Sequence, residues 1–309
     1  MSTEGGTKAT VTALGANLAI AIAKFVAFAF TASASMLAEG IHSVADTGNQ
    51  ALLLLGIRRA KRKATPEHPF GYGRERYFWS FIVAVVLFTV GGVASVMEGW
   101  DKLRHPHEIE SLTWAIGVLA VAIVIELFSL RVAVQEANKV RTSGWWAFIR
   151  RSKIPELPVV LLEDIGALLG LVFALGGVTL AAVTDNPRFD AAGSLAIGVL
   201  LCTIAIVLAV ELRSLLLGES ASASDIDAIS AAINKDPEVQ SLIHMRTQHI
   251  GPEELLVGVK VDLRDNLSLE QVAAAINRIE SSIRTSVPAA KLIYIEPDVA
   301  VSAGAEKQT

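Results

Sequence analysis

SMLAEGIHSVADTGNQALLLLGI, residues 35–57, is an apolar run that carries Glu39, His42, Asp46 and Asn49. Crossing a hydrocarbon core of about 30 Å takes roughly 20 helical residues, so this run is long enough to span a bilayer. Its four polar residues are three, four and three positions apart. They therefore line one helical face, a polar stripe directed at a partner helix or a cavity. An aspartate at the centre of a spanning helix costs roughly 2.5–3.5 kcal/mol, which pairing, hydration or a bound cation must offset. A His/Asp pair four residues apart presents one imidazole nitrogen and one carboxylate oxygen to a common point, which suits a borderline divalent ion such as zinc. The alternative is a buried hydrogen-bonded pair that fixes helix packing.

Working outward, the chain has 309 residues, 52% hydrophobic and 19% charged, which excludes an ordinary soluble domain. Spans are expected at about 11–33, 35–57, 77–97, 113–135, 156–183 and 190–217, six in all. The link after the second carries Arg58, Arg59, Lys61, Arg62, Lys63, Arg74 and Arg76, and the link after the fourth carries Lys139, Arg141, Arg150, Arg151 and Lys153. The links after the third and fifth hold only Lys102 and Arg104, and Arg188. By the positive-inside rule both termini are cytoplasmic, and the plasma membrane is the expected location. The first ten residues read as a short tail without the basic start of a signal peptide, so the first span is expected to act as an uncleaved insertion signal. Cys202, alone inside the sixth span, allows no intramolecular disulfide and reads as a packing residue.

A second acidic cluster, Val159-Val-Leu-Leu-Glu-Asp164, lies in the fifth span. Consecutive helical residues point about 100° apart, so one of the two carboxylates faces the centre shared with His42 and Asp46. Asp164 is favoured as the ligand, with Gly166 and Gly170 allowing close helix approach. Glu163 reads as a fourth ligand, a proton acceptor or a support for the ligands. An ion pair is the competing reading, and no basic residue is read at membrane depth to supply it. Glu126 in the fourth span and Glu211 near the end of the sixth read as polar packing groups ahead of a proton path. Trp145, Trp146 and Phe148 beside Arg150, Arg151 and Lys153 read as an interfacial anchor.

Past Leu217 the pattern changes to alternating charged and apolar positions. It predicts helix Ser224–Asn234, strand Gln240–Ile250, strand Leu255–Leu263, helix Ser268–Val287 and strand Lys291–Ile295. Ser268 followed by Glu270 and Gln271 reads as a helix start. The fold class is thus membrane α-helical: a tail at 1–10, a six-helix membrane domain at 11–217, a small cytoplasmic αββαβ domain of ferredoxin-like type at 218–299 and a disordered end at 300–309.

These residues resemble the cation diffusion facilitator family of metal/proton antiporters. The likeness rests on His42-Ser-Val-Ala-Asp46, on His68-Pro-Phe-Gly-Tyr-Gly-Arg-Glu75, on Asp164 and on the αββαβ tail, and covers nearly the whole chain. The loop and Leu161-Leu-Glu-Asp164 further resemble a branch that includes a vertebrate zinc transporter linked to mitochondria. The resemblance implies a homodimer and a tetrahedral transport site of two residues four apart on the second span and two on the fifth. His42, Asp46 and Asp164 match three positions, while the fourth falls on Val160, which has no ligand atom. Glu163, Asn49 or water would complete the shell, with Glu39 a further accessory, and a carboxylate-rich site shifts preference from zinc toward manganese or iron. His68 matches a family loop ligand, but Tyr72 stands where a second histidine is common, so His68 reads as a loop residue first. In the tail, His244 and Glu296-Pro-Asp298 approach metal-binding positions, yet Lys260 replaces an expected histidine. Arg74, by resemblance, joins a charge interlock between helices.

The function expected is a secondary carrier that exports a divalent cation, zinc first, in exchange for protons, because metal ligation needs the unprotonated ligands. No phosphate-cradling Gly-x-x-x-x-Gly-Lys loop exists to power a pump. Lipid, metal ion, protons and a second copy are the expected partners; no enzyme activity, resident cofactor or nucleic acid is expected. A membrane metal sensor or scaffold without turnover, a manganese or iron carrier and a passive channel are the alternatives.

Overall fold

The computed structural model describes residues 4–31, 34–105 and 112–299, with the side chains of Glu39 and His42 outside what it describes. The expected disorder at 300–309 likewise falls outside the described residues. The chain divides into two compact units, Met1–Arg213 and Ser214–Thr309.

The first unit is helical. Its elements are α1 (Glu4–Thr31), α2 (Ala34–Ala60), α3 (Glu75–Val86), α4 (Ala94–Arg104), α5 (Leu112–Val140), α6 (Trp145–Arg151), α7 (Glu156–Thr184) and α8 (Arg188–Leu217, which runs into the second unit). Among the described residues, five stretches are long and apolar enough to cross a membrane: Gly6–Val26, Glu75–Arg104, Ile116–Val140, Glu156–Thr184 and Arg188–Leu217. Helix α2 is 27 residues long, a rise of roughly 40 Å at 1.5 Å per residue. It stands apart from those five because its polar stripe dilutes its apolar length.

The stretch from Glu75 to Arg104 is longer than the 77–97 read from the sequence, because α3 passes into α4 through a π-helical segment, Leu87–Val93, without interruption. A π segment inserts a residue into the helical ladder and turns the faces on either side of it. Here the segment contains Gly91 and Gly92, and it lies against α8: a Cβ on Gly92 would lie 2.5 Å from Cys202 Sγ, and one on Gly198 would lie 2.7 Å from the Val96 nitrogen. Cys202 is therefore a packing residue pressed onto bare backbone, and a methyl group at either glycine would force the helices apart.

Helix α1 packs on α2, α5 and α7, and α5 packs on α7, so these four surround a common interior. Their surfaces are sorted opposite to those of a water-soluble bundle. On α5, Val121, Val124 and Phe128 are exposed while Glu126 and Ser129 are buried. Apolar groups outside and polar groups inside are what a lipid solvent selects. Trp145 begins α6, a short helix formed by the stretch that reads as an interfacial anchor. Phe148 is buried, Trp146 is exposed, and Arg150 donates to Glu211 at 3.0 Å. Glu211 thus works in an ion pair and not as a packing group.

A buried ion pair joins α3 to α7. Arg76 and Glu156 are 4% and 1% exposed, and Arg76 Nη2 donates to Glu156 Oε2 at 2.6 Å, in a two-pronged contact with the Nε to Oε1 bond beside it. Arg76 therefore supplies the interlock expected of Arg74, which only precedes the first turn of α3. The guanidinium fork matches the carboxylate, and that match is what allows two charges to be buried together.

The second unit follows the order α9 (Ala223–Asn234), β1 (Val239–Gly251), β2 (Glu254–Leu263), α10 (Leu269–Ser286) and β3 (Ala290–Asp298). The sheet order is β1-β2-β3, antiparallel between β1 and β2 and parallel between β2 and β3, with α10 as the crossover that a parallel pair requires. Ser268 caps α10 in a reciprocal box: its backbone nitrogen donates to Gln271 Oε1 at 2.7 Å, and Gln271 N donates to its hydroxyl. The core is aliphatic, built from Ile229, Ile233, Val257, Val261, Ile279 and Ile283. Strand β3 runs three residues beyond the expected Ile295 because Pro297 sits on an edge strand, where its missing N–H breaks no ladder. Gly218, at φ 104°, ends α8 in a conformation that a side chain would strain.

Candidate functional site

The interior of the helical unit is polar at one level. From α7, Glu163 and Asp164 are 5% and 1% exposed. From α2, Asn49 and Gln50 are 2% and 0% exposed, and from α5, Glu126 and Ser129 are each 2% exposed. Asp46, one turn before Asn49 and Gln50, is half-buried.

The two adjacent carboxylates of α7 are held differently. Asn49 Nδ2 donates to Glu163 Oε1 at 3.2 Å, and Gln50 Nε2 donates to Glu163 Oε2 at 2.6 Å. Glu163 is thereby a strut from α7 to α2 with an amide on each oxygen. Asp164, turned about 100° away, accepts a single bond, from Ser129 Oγ at 3.0 Å across the α5 interface. Each amide gives one N–H to Glu163, and among the described residues Asn49 Oδ1 and Gln50 Oε1 are buried with no hydrogen-bond partner. Glu126 lies close enough to Asp164 and Asp46 to feel their charges, and Lys24 of α1 acts on it with the opposite sign.

Lys24 corrects one expectation. A basic residue does lie at membrane depth: Lys24 falls inside Gly6–Val26 and is 5% exposed. A single lysine among alanines, isoleucines and phenylalanines leaves the run apolar on average, so it passes unnoticed in a hydropathy reading. Gln50 and Ser129 were also missed. Gln50 follows Asn49 directly and lies off the three-four-three spacing, and Ser129 is an ordinary residue of an apolar helix until α7 is placed against it.

Of the other candidates, the side chains of Glu39 and His42 lie outside the described residues, although α2 carries both. Val160 is fully buried in α7 one turn before Asp164. Gly166 does permit a close approach, but to α8: a Cβ there would lie 2.8 Å from Ile204 Cδ1. Gly170 makes only ordinary contacts. His68 is exposed in its loop, its ring 4.6 Å from that of Tyr72. Among the described residues, no three His, Cys, Asp or Glu side chains already gather closely enough to hold an ion.

The tail candidates come together around a cation of their own. His244, Lys260 and Glu296 are cross-strand partners on β1, β2 and β3. Lys260 Nζ lies 3.2 Å from Glu296 Oε1 and 2.8 Å from Asp298 Oδ2. The lysine ammonium lies between the two carboxylates and pairs with both.

A helical membrane unit with buried carboxylates and a small mixed α/β unit defines the class, a membrane protein built to handle cations. The cation efflux transmembrane domain family matches residues 10–217, so the chain belongs to the cation efflux family, whose members are transporters and not enzymes. The Proton-coupled zinc antiporter SLC30A9, mitochondrial, of Xenopus laevis is 35% identical over 265 residues, covering 83% of this chain and 47% of that protein. The Homo sapiens protein of the same name is 36% identical over 242 residues, covering 77% of this chain and 43% of that protein. The chain thus spans about half the length of these curated relatives. Among solved structures, a nickel form of the MamM C-terminal domain aligns at 12% identity and a TM-score of 0.25, covering 26% of this chain and 100% of that one. The plasma-membrane expectation is overturned at this point. Relatives that match more than three quarters of the chain carry mitochondrial names, and loop charge reports only which side is which, never which membrane.

Proposed function

We propose that the chain is a secondary carrier that exchanges a divalent metal ion, zinc first, for protons, working as a homodimer in a mitochondrial membrane. Six helical crossings are part of the reading: the five apolar stretches and α2, whose Asn49 and Gln50 are buried. The observation that carries it is the set of acidic groups buried between α2, α5 and α7, with Asp164 held by Ser129 at 3.0 Å. The printed names of the relatives support zinc and proton coupling.

His42, Asp46 and Asp164 hold the ion, as the family resemblance implies. Ser129 orients the Asp164 carboxylate so that its remaining lone pairs face the ion, the service an outer hydrogen bond commonly performs for a ligand. Glu163, with an amide on each oxygen, positions α7 against α2 and is not itself the first choice of ligand. The ion enters from the side of the basic loops when the carboxylates and the imidazole are unprotonated. Protons arriving from the other side compete for the same lone pairs, release the ion and reset the carrier.

The test is zinc uptake into proteoliposomes under an imposed pH gradient, with native chain, Asp46→Ala and Asp164→Ala. Gradient-dependent uptake lost in both variants is the expected outcome. Zinc binding without any flux would leave a sensor or scaffold, and flux indifferent to the gradient would leave a channel.

A further inference from the structure

We propose that Glu126 of α5 is a ligand of the transported ion and fills the position that Val160 leaves without a ligand atom. The inference rests on the carrier reading above and extends its site to a third helix.

Three observations lead to it. Glu126 is 2% exposed, and among the described residues its carboxylate feels Lys24 through the field but takes part in no described hydrogen bond. A buried charge is normally hydrogen-bonded, paired or bound to a cation, so a carboxylate so placed at mid-helix has lone pairs to offer a guest. Second, Glu126 and Ser129 are three residues apart on α5 and share one face. Ser129 reaches Asp164 at 3.0 Å, which fixes that face against α7, and Asp46 and Asp164 both act electrostatically on Glu126.

Third, the surroundings hold buried acceptors that no donor meets: Asn49 Oδ1 and Gln50 Oε1 have no hydrogen-bond partner among the described residues. Positive charge or a proton donor would satisfy these oxygens together with the Glu126 carboxylate. No three described ligand groups already meet at one point; like charges stand apart until a cation draws them in. A carboxylate oxygen from Glu126 makes the site harder, admitting manganese beside zinc.

The experiment titrates the full chain in detergent with zinc alone, using native protein, Glu126→Gln, Glu126→Gln with Val160→His, and Val160→His. Glu126→Gln should weaken zinc at least tenfold, and the added Val160→His should restore affinity to within about threefold of native, a rescue that loss of a merely structural group would not show. Val160→His alone should change affinity by less than about threefold, because the position is already filled; this arm stands even if Glu126→Gln does not fold. Native affinity in Glu126→Gln, or a tenfold gain from Val160→His alone, overturns the assignment while leaving the carrier intact. A native chain that binds no zinc overturns both.

Discussion

Glu163 and Asp164 on α7, and Glu296 and Asp298 on β3, are two acidic pairs with opposite surroundings. In the tail, Lys260 stands between the carboxylates at 3.2 and 2.8 Å and neutralises them from within the fold. In the helical unit Lys24 acts on Glu126, and among the described residues Asn49 Oδ1 and Gln50 Oε1 beside the acids have no donor. The same chemistry is closed by a lysine in one place and leaves acceptors unanswered in the other. A carboxylate cluster becomes a candidate site through what fails to answer it, not through the number of its acids.

The sharpest break in this comparison is functional. Asp164→Ala should abolish gradient-driven zinc uptake, whereas Asp298→Ala should leave uptake within about twofold of native; the reverse pattern in the same vesicle assay would move the working site to the tail. Next in size is the buried pair at the ends of α3 and α7. Arg76→Ala strands Glu156, which is 1% exposed, and losing one partner of a buried ion pair costs about 3–5 kcal/mol. Thermal unfolding in detergent should show that loss, and a Glu156→Gln change added to it should recover part by removing the stranded charge.

The tail should respond to its aliphatic core instead. Ile279→Ala, at a position with no exposure, should cost about 2–5 kcal/mol, read as faster hydrogen exchange in β1 to β3 with no change in exchange across α7. The smallest effect is that of pH on the Lys260 contacts. The hydrogen bond from Lys260 is the leading cause that holds the Asp298 carboxyl below its usual range, and Asp298, then Glu296, hold Lys260 above the usual lysine range. The stabilisation from Asp298 is present above the ordinary carboxylate value of about 3.9 and fades as pH falls through its lowered value. That from Lys260 is present below about 10.4 and fades as pH rises through its raised value. Exposed pairs contribute little, so exchange of the β2 and β3 amides should vary only slightly between these limits, and Lys260→Met should remove the acid-side change.

Much of this was readable beforehand from residue pattern. The apolar runs and the αββαβ tail with its Ser268 cap follow from periodicity, and the proposal that Asp46 and Asp164 are ligands starts from the cost of charge in an apolar segment. Lys24 was hidden by averaging over a window, since one lysine barely moves the hydropathy of a long run. Helix α6 lies where the sequence reads as an interfacial anchor, since seven residues rich in tryptophan and arginine serve an anchor as well as a helix. Gln50, Ser129 and the Arg76–Glu156 pair carry no local mark at all.

The sequence by itself determined that this chain crosses a membrane and keeps acids at membrane depth, because length and polarity against a lipid solvent are properties of each segment alone. Only the tertiary structure decided what each acid does. Glu163 is a strut and Asp164 is held by one hydroxyl because Asn49, Gln50 and Ser129 come from other helices. Lys260 closes the tail pair because the register sets it opposite Glu296. Which acceptors meet a donor depends on how helices and strands pack, and packing brings together residues that lie far apart along the chain.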